Sequence, residues 1–153
     1  MSALKERLRA DLTTALKARE ALTVSTIRLA LGAISTAEVA GTEARELSDE
    51  EVLEILTKEA KKRRESAAAF EEGGRPEMAQ KEREEAAILA VYLPEALGQE
   101  EITAIVTAAI EQTGAAGQGL KAMGRVMGLV QPQVKGRADG GVVAAEVKRQ
   151  LGA

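Results

Sequence analysis

The sequence contains neither cysteine nor histidine. The first absence excludes disulfides, a thiolate nucleophile and zinc–thiolate sites. The second removes the side chain that most often serves as general base and metal ligand near neutral pH. Tryptophan is missing too, and Phe70 and Tyr92 are the only aromatic residues, which leaves little with which to stack nucleobases. The stretch MSALKERLRADL has no uninterrupted apolar core of the kind a signal peptide needs. Uncharged runs such as LALGAISTA, residues 29–37, fall far below the roughly 18 apolar residues of a membrane span. These absences imply a cytoplasmic protein that stays off the membrane. No cofactor or metal site is expected from these residues, although a site built from carboxylates alone stays open.

What is present is aliphatic and helix-forming. Apolar residues make up 45% of the chain and alanine occupies 29 of 153 positions, so the expected fold class is all-α. Ser2 is placed to cap a first helix bearing Leu4, Leu8, Leu12 and Leu16. A second helix runs from about residue 23 to 39 through Val24, Ile27, Leu31 and Ile34, with Gly41 as its C-cap. Ser48 and Glu51 form the capping-box signature S-x-x-E, opening a third helix to about Phe70 that Gly73 and Gly74 stop. Pro76 suits the first turn of a fourth helix, which reaches about Val91 and ends before Pro94.

Residues 100–112 give a fifth helix with Ile102, Ile105, Val106 and Ile110 in phase, broken by Gly114 and Gly117. A sixth over residues 120–130 shows apolar Leu120, Met123, Met127 and Val130, with Pro132 limiting it. A seventh follows Asp139 with Val143, Val147 and Leu151. No alternating strand pattern and no internal repeat appears. The Tyr92-Leu93-Pro94 stop is the best boundary. It predicts a four-helix, bundle-like body over residues 1–94 and a small three-helix domain over 95–153.

Charge divides along the same line. Residues 1–93 balance at −3, residues 94–113 hold four acids and no bases, and residues 114–153 balance at +4, a modest hint of an anionic partner for the last forty residues. The tail displays Lys121, Arg125, Lys135 and Arg137. The densest basic run, Lys61, Lys62, Arg63 and Arg64, lies in the third helix, where i,i+4 pairs such as Glu59 with Arg63 and Lys61 with Glu65 favour a solvated face over nucleic-acid contact.

The tail segment GAAGQGLKAMG lacks the lysine placement, the Ser or Thr and the preceding strand of a phosphate loop. GRADGG can hold a phosphate at a helix N-terminus, but Asp139 is itself a good N-cap and the capping reading is favoured. No residues suggest a catalytic centre. Arg28 sits between Val24 and Leu31 on an apolar face, so a carboxylate partner is expected in Glu82 or Glu85. Tyr92 should pack on the body, with Pro94 ending the fourth helix.

Three stretches together resemble the GatB/YqeY family. The first is ALKAREALTVSTIRLALGAI, with Lys17, Thr26, Ile27 and Arg28. The second is KKRRESAAAFEEGGRPEMAQKEREEAAILAVYLP, through Lys61, Arg63, Ser66, Phe70, Gly74, Arg75, Glu82, Glu85, Tyr92, Leu93 and Pro94. The third is MGRVMGLVQPQVKGRADGGVVAAEVKRQL. The resemblance covers nearly the whole chain in order.

It implies an all-helical protein with a larger N-terminal bundle and a small three-helix tail. It also implies kinship with the C-terminal region of the B subunit of glutamine-dependent tRNA amidotransferase, a tRNA-contacting appendage. The family label is carbon–nitrogen ligase with glutamine as amide donor, yet the catalytic parts of that complex are not in this chain. The expected function is a monomeric, non-catalytic module for tRNA or other structured RNA, with amidotransferase or translation-related proteins as further partners. The alternative is a protein–protein adaptor that binds no RNA. One departure from the family pattern is Gln131-Pro132-Gln133-Val134, where a more basic connection is expected.

Overall fold

The computed structural model describes residues 2–152. It is all-helical, with no strand among the described residues, and divides into two compact units, Met1–Leu93 and Pro94–Ala153. The first unit holds α1 (Ala3–Ala18), α2 (Ala21–Glu38), α3 (Asp49–Glu72) and α4 (Pro76–Ala90). The second holds α5 (Gln99–Thr113), a 3-10 turn (Gly119–Ala122), α6 (Met123–Val134) and α7 (Gly140–Gln150). Each unit has its own core.

Local chemistry sets most of the helix ends. The Ser2 hydroxyl accepts from Lys5 N at 3.1 Å, satisfying one of the free donors at the start of α1. The capping box of α3 is complete: Glu51 N donates to Ser48 Oγ at 3.2 Å, and Ser48 N donates to the Glu51 carboxylate at 2.9 Å. Arg45 donates to the same carboxylate through both terminal nitrogens, at 3.0 and 2.6 Å. These bonds hold the Glu51 pKa at about 2. Gly74 takes φ +72, a conformation in which a side chain would crowd the backbone. That turn lets Arg75 N reach Phe70 O at 2.8 Å and reverses the chain into α4. Pro76 follows at the first helical position, where its missing N–H costs nothing.

The first core gathers Leu8, Ile27, Ala30, Ile34, Leu47, Val52, Leu56, Ala60, Leu89 and Tyr92. On α2 the buried face runs through Ile27, Ala30 and Ile34, with Thr26 also fully buried. Val24 is buried on the same side and Leu31 packs against its edge, so the line the sequence suggests is largely kept while Arg28 falls outside it. Small Ala30 and Thr26 allow neighbouring helices to close on their side of α2. Arg28 is therefore exposed and makes no ion pair with Glu82 or Glu85, which corrects the expectation. The end of α2 differs as well: its C-cap is Val39, not Gly41. On α1 the line of leucines is buried at Leu8 but breaks at Leu16, which is 47% exposed.

The arginine that does meet a carboxylate in the interior is Arg63. Along α3 the core face is Val52, Leu56, Ala60, Arg63 and Ala67, helical spacing that places Arg63 in the seam against α4. Alanines at 60 and 67 leave room for its length. Its Nε lies 3.4 Å from Glu85 Oε2, and both side chains are about nine-tenths buried. The helix pair α3 and α4 is the most extensive in the molecule. Two further ties close the unit. Lys5 pairs with Glu38 at 2.6 Å, largely buried, and Asp49 accepts from Ser2 Oγ and from Leu4 N at 3.1 Å.

The second core is built from Ile102, Val106, Ala109, Ile110, Ala115, Ala122, Val126, Val130, Val134, Val143, Val147 and Leu151. The sequence suggests that α6 stops at Pro132 and buries Met123, Met127 and Val130. Instead α6 continues to Val134 with Pro132 inside it, and its buried line is Val126, Val130 and Val134. Pro132 and Gly128 are both exposed. The carbonyl that proline frees, four residues back at Gly128, thus lies where water can satisfy it.

Removing one partner of the buried pair should be costly. Arg63→Ala or Glu85→Ala is expected to lower unfolding free energy by about 3–5 kcal/mol, since each strands a buried charge. Arg28→Ala should change it by less than about 0.5 kcal/mol. Urea unfolding of the three variants checks this ranking; equal effects at Arg28 and Arg63 would refute it.

Candidate functional site

The basic residues named from the sequence fall into three structural situations. Arg63 is buried against Glu85, so it leaves the list of residues that can meet an external ligand. Its neighbours Lys61 and Lys62 are exposed but locally balanced, Lys61 by Glu65 at 3.9 Å and Lys62 by Glu59 at 3.5 Å. Glu59 therefore serves Lys62 and not Arg63. Arg64 is exposed. Of the three exposed cations in this run, Lys61 and Lys62 are paired with glutamates of the same helix.

The tail cations are arranged differently. On α6 the valines at 126, 130 and 134 face the core. The helical period places Arg125, Gly128, Pro132 and Lys135 on the opposite side, and Lys121 on the preceding turn in line with them. Lys121, Arg125 and Lys135 are exposed. Between them the face carries Gly124, Gly128 and Pro132, residues with little or no side chain to hold a ligand away. A β-carbon built on Gly124 or Gly128 would meet nothing within 4 Å. Arg125 and Lys135 stand about 15 Å apart along the helix axis, so the face offers cations at its two ends and a smooth backbone between. Arg125 also donates to the Gln118 side chain, which holds the guanidinium close to the 3-10 turn.

Arg137 does not join this face. It is half-buried, and its Nε donates to Glu95 O at 3.4 Å while its own carbonyl accepts from Leu97 N at 2.8 Å. It straps the segment leading into α5. Asp139 caps α7, accepting from Gly141 N at 2.8 Å, so a carboxylate occupies the donors a phosphate would need.

One buried acid was not singled out from the sequence. Glu146, on α7, is 5% exposed and accepts from Thr103 Oγ1 at 3.2 Å, Gln99 Nε2 at 3.3 Å and Gln150 Nε2 at 2.9 Å. Arg149 also donates to it, through Nε at 3.0 Å and its terminal nitrogen at 2.5 Å. The signal was present as Glu146 and Arg149 one turn apart, but that spacing is common on solvated helices. These bonds hold the Glu146 pKa at about 2, the Arg149 contribution being the largest. The network clamps α7 to α5.

At the end of the first unit, Tyr92 is buried to 8% exposure. Its hydroxyl donates to Asp11, and Arg7 lies 4.7 Å from the ring centroid. Burial, and then the bond to Asp11, push the phenol upward, so it stays a neutral donor. The helical part of α4 ends at Ala90, ahead of Pro94. Glu82 is half-buried and has no ion-pair partner among the described residues. Also among the described residues, no group of three or more acidic, His or Cys side chains could hold a metal ion, and no helix is long and apolar enough to cross a membrane.

The model of the family described as Yqey-like protein matches residues 5–151, a match that runs through both units. The chain belongs to this family. Among its relatives is altered inheritance of mitochondria protein 41, mitochondrial, from Pyrenophora tritici-repentis (strain Pt-1C-BFP). It is 29% identical over 150 residues, which span 96% of this chain and 80% of the relative. Family membership thus extends over the α6 face and the Arg63–Glu85 seam alike.

The clamp generates a pH prediction. Glu146 has a folded pKa below its unfolded value, so its contribution is present above about pH 4.3 and is lost as pH falls toward 2. The melting temperature of wild-type protein should drop over that window. Glu146→Gln should lower it at pH 7 and shrink the acid-dependent part of the fall. A wild-type acid profile unchanged by Glu146→Gln would show that the clamp contributes nothing.

Proposed function

We propose that this YqeY-like protein is a non-catalytic module that binds tRNA or another structured RNA, as an accessory to glutamine-dependent amidotransferase machinery. The observation that carries the reading is the outer face of α6. Three exposed cations, Lys121, Arg125 and Lys135, flank a smooth Gly-Pro surface on a unit whose last forty residues hold a charge of +4. Such a face suits a phosphate backbone, which can approach the helix closely and be neutralised at intervals. The scarcity of aromatics favours shape and charge over base stacking. The resemblance of the sequence to the amidotransferase B-subunit tail suggests the class of RNA. The ligase label belongs to the larger machinery, and we read no amide-transfer chemistry into these side chains. The cytoplasm is the proposed place of action; a relative with mitochondrial in its name leaves the organelle as a second site where tRNA is handled.

The rival reading is an adaptor that works through α3 and α4. It is favoured by the local balancing of Lys61, Lys62 and Arg83 by Glu65, Glu59 and Glu71, which weakens any attraction to nucleic acid there. A pull-down with and without nuclease separates the two, since an adaptor keeps its partners after RNA is removed.

Mobility-shift titrations with total tRNA at low and moderate salt test the main reading. Wild-type affinity should fall steeply with salt. Replacing Lys121, Arg125 and Lys135 together by alanine should weaken binding equally for unrelated RNA sequences and reduce the logarithmic salt slope by about 3. Replacing Lys61, Lys62 and Arg64 should leave both quantities unchanged. Arg137 is kept intact because its loss would loosen the segment before α5. Wild-type affinity in the α6 triple variant would end the proposal.

A further inference from the structure

The first unit carries a surface that the RNA reading does not use. The turn between α1 and α2, with the first half of α2, borders an open groove of about 660 Å³ lined in part by Leu16, Arg19, Val24, Ser25, Arg28 and Leu29. Leu29 is 59% exposed and Leu16 47%. Ser25, Arg28, Leu29 and Gly32 share the face of α2 that points away from Ile27, Ala30 and Ile34. Gly32 is exposed, and a β-carbon there would meet nothing within 4 Å. The floor is aliphatic, with small residues beside it that permit close approach.

The rim is cationic. Arg19 and Arg28 are exposed and have no carboxylate partner among the described residues, and Lys17 is nearby in the last turn of α1. The nearest acid in sequence, Glu20, lines a different pocket with Asp11 and Tyr92. Arg19 adds an independent sign. Its φ is 58, the only positive value at a non-glycine residue among the described residues. Glycine is the unstrained choice at such a helix end, because a β-carbon crowds the backbone there. A long cationic side chain is held in that place at the cost of strain, on the edge of an apolar groove.

We propose that this groove docks an amphipathic helix of a partner protein, with leucine-type residues seated between Leu16, Val24 and Leu29 and acidic residues paired with Arg19 and Arg28. An aliphatic floor between two unpaired guanidinium groups matches that alternation of apolar anchors and carboxylates. A phosphate backbone would match the rim but leave the leucines uncovered. The inference is independent of RNA binding by the second unit.

The test uses the full chain and a fluorescein-labelled synthetic helix of about 18 residues, a five-turn segment, with leucines on one face and glutamates flanking them. A control peptide has lysine at every glutamate. The acidic peptide should bind and shift backbone amide resonances of residues 16–32, and the lysine peptide should bind at least about tenfold more weakly. Arg19→Gly with Arg28→Gln, changes at exposed positions that suit the turn and the helix, should weaken the acidic peptide about tenfold. Leu29→Ser should do the same, and circular dichroism melts should confirm that both variants are folded. Binding of tRNA should not change in either. The proposal is overturned if the two peptides bind alike or if the folded variants bind the acidic peptide as wild type does. It also fails if tRNA or anionic phosphatidylglycerol vesicles shift the same amides and displace the peptide. A micromolar dimer in sedimentation that Leu29→Glu dissolves would give the groove to a second copy and equally sink it.

Discussion

The Arg63–Glu85 ion pair, held at 3.4 Å inside the seam between α3 and α4, is the constraint on which the larger unit depends. A guanidinium and a carboxylate taken out of water each lose several kcal/mol of hydration, and here they meet as an ion pair in which the buried Arg63 Nε makes no hydrogen bond. Two helices that bury such a pair have few alternative registers, because a shift of one residue turns one charge toward an apolar neighbour. Ala60 and Ala67, one turn to either side of Arg63, provide the room. The long third helix and the glycine turn at residues 73–74 then bring Glu85 back to meet it. With that seam fixed, the exposed face of α3 is fixed too, which is why Lys61, Lys62 and Arg64 point outward among glutamates.

The second unit solves the same problem with less material. Its core is almost entirely valine, isoleucine and alanine, β-branched or single-methyl side chains that lose little rotamer freedom on packing. No helix in it exceeds 15 residues. A polar clamp around Glu146 joins α5 to α7, and the Arg137 strap pins the segment entering α5. With both anchored, α6 can present a face that is nearly bare of side chains. Rigid support beneath and exposed backbone above are what a surface needs to hold cations at fixed spacing.

The elements legible in the sequence are those governed by contacts within one turn. Ser48 with Glu51, Pro76 at a first helical position, Gly114 beyond α5 and Asp139 before α7 could all be read because capping chemistry spans only two or three residues. Which arginine reaches Glu85 could not, since it depends on α3, not α2, supplying the seam against that part of α4. Pro132 misled for a related reason: the cost of a proline inside a helix is lowered where the freed carbonyl can reach water, and exposure is a tertiary property. At the candidate site, the exposed setting of Lys121, Arg125 and Lys135 follows from the valine line of α6, which the methionines obscured. The inward role of Arg137 depends on Glu95, 42 residues away, beyond any local pattern.

The Tyr92–Asp11 hydrogen bond joins residues 81 positions apart, and this bears on how the protein is made. During synthesis at roughly 5–20 residues per second, α1 and α2 can meet as soon as Glu38 is available to Lys5. Asp49 follows within seconds and ties the start of α1 to the start of α3. The tyrosine that closes over Asp11 and Arg7, however, is the next-to-last residue of the first unit. For that interval, Arg7 and Asp11, in the first half and middle of α1, await a partner not yet translated. The contact of Tyr92 with Asp11 and Arg7 can form only once all of α4 has been synthesised.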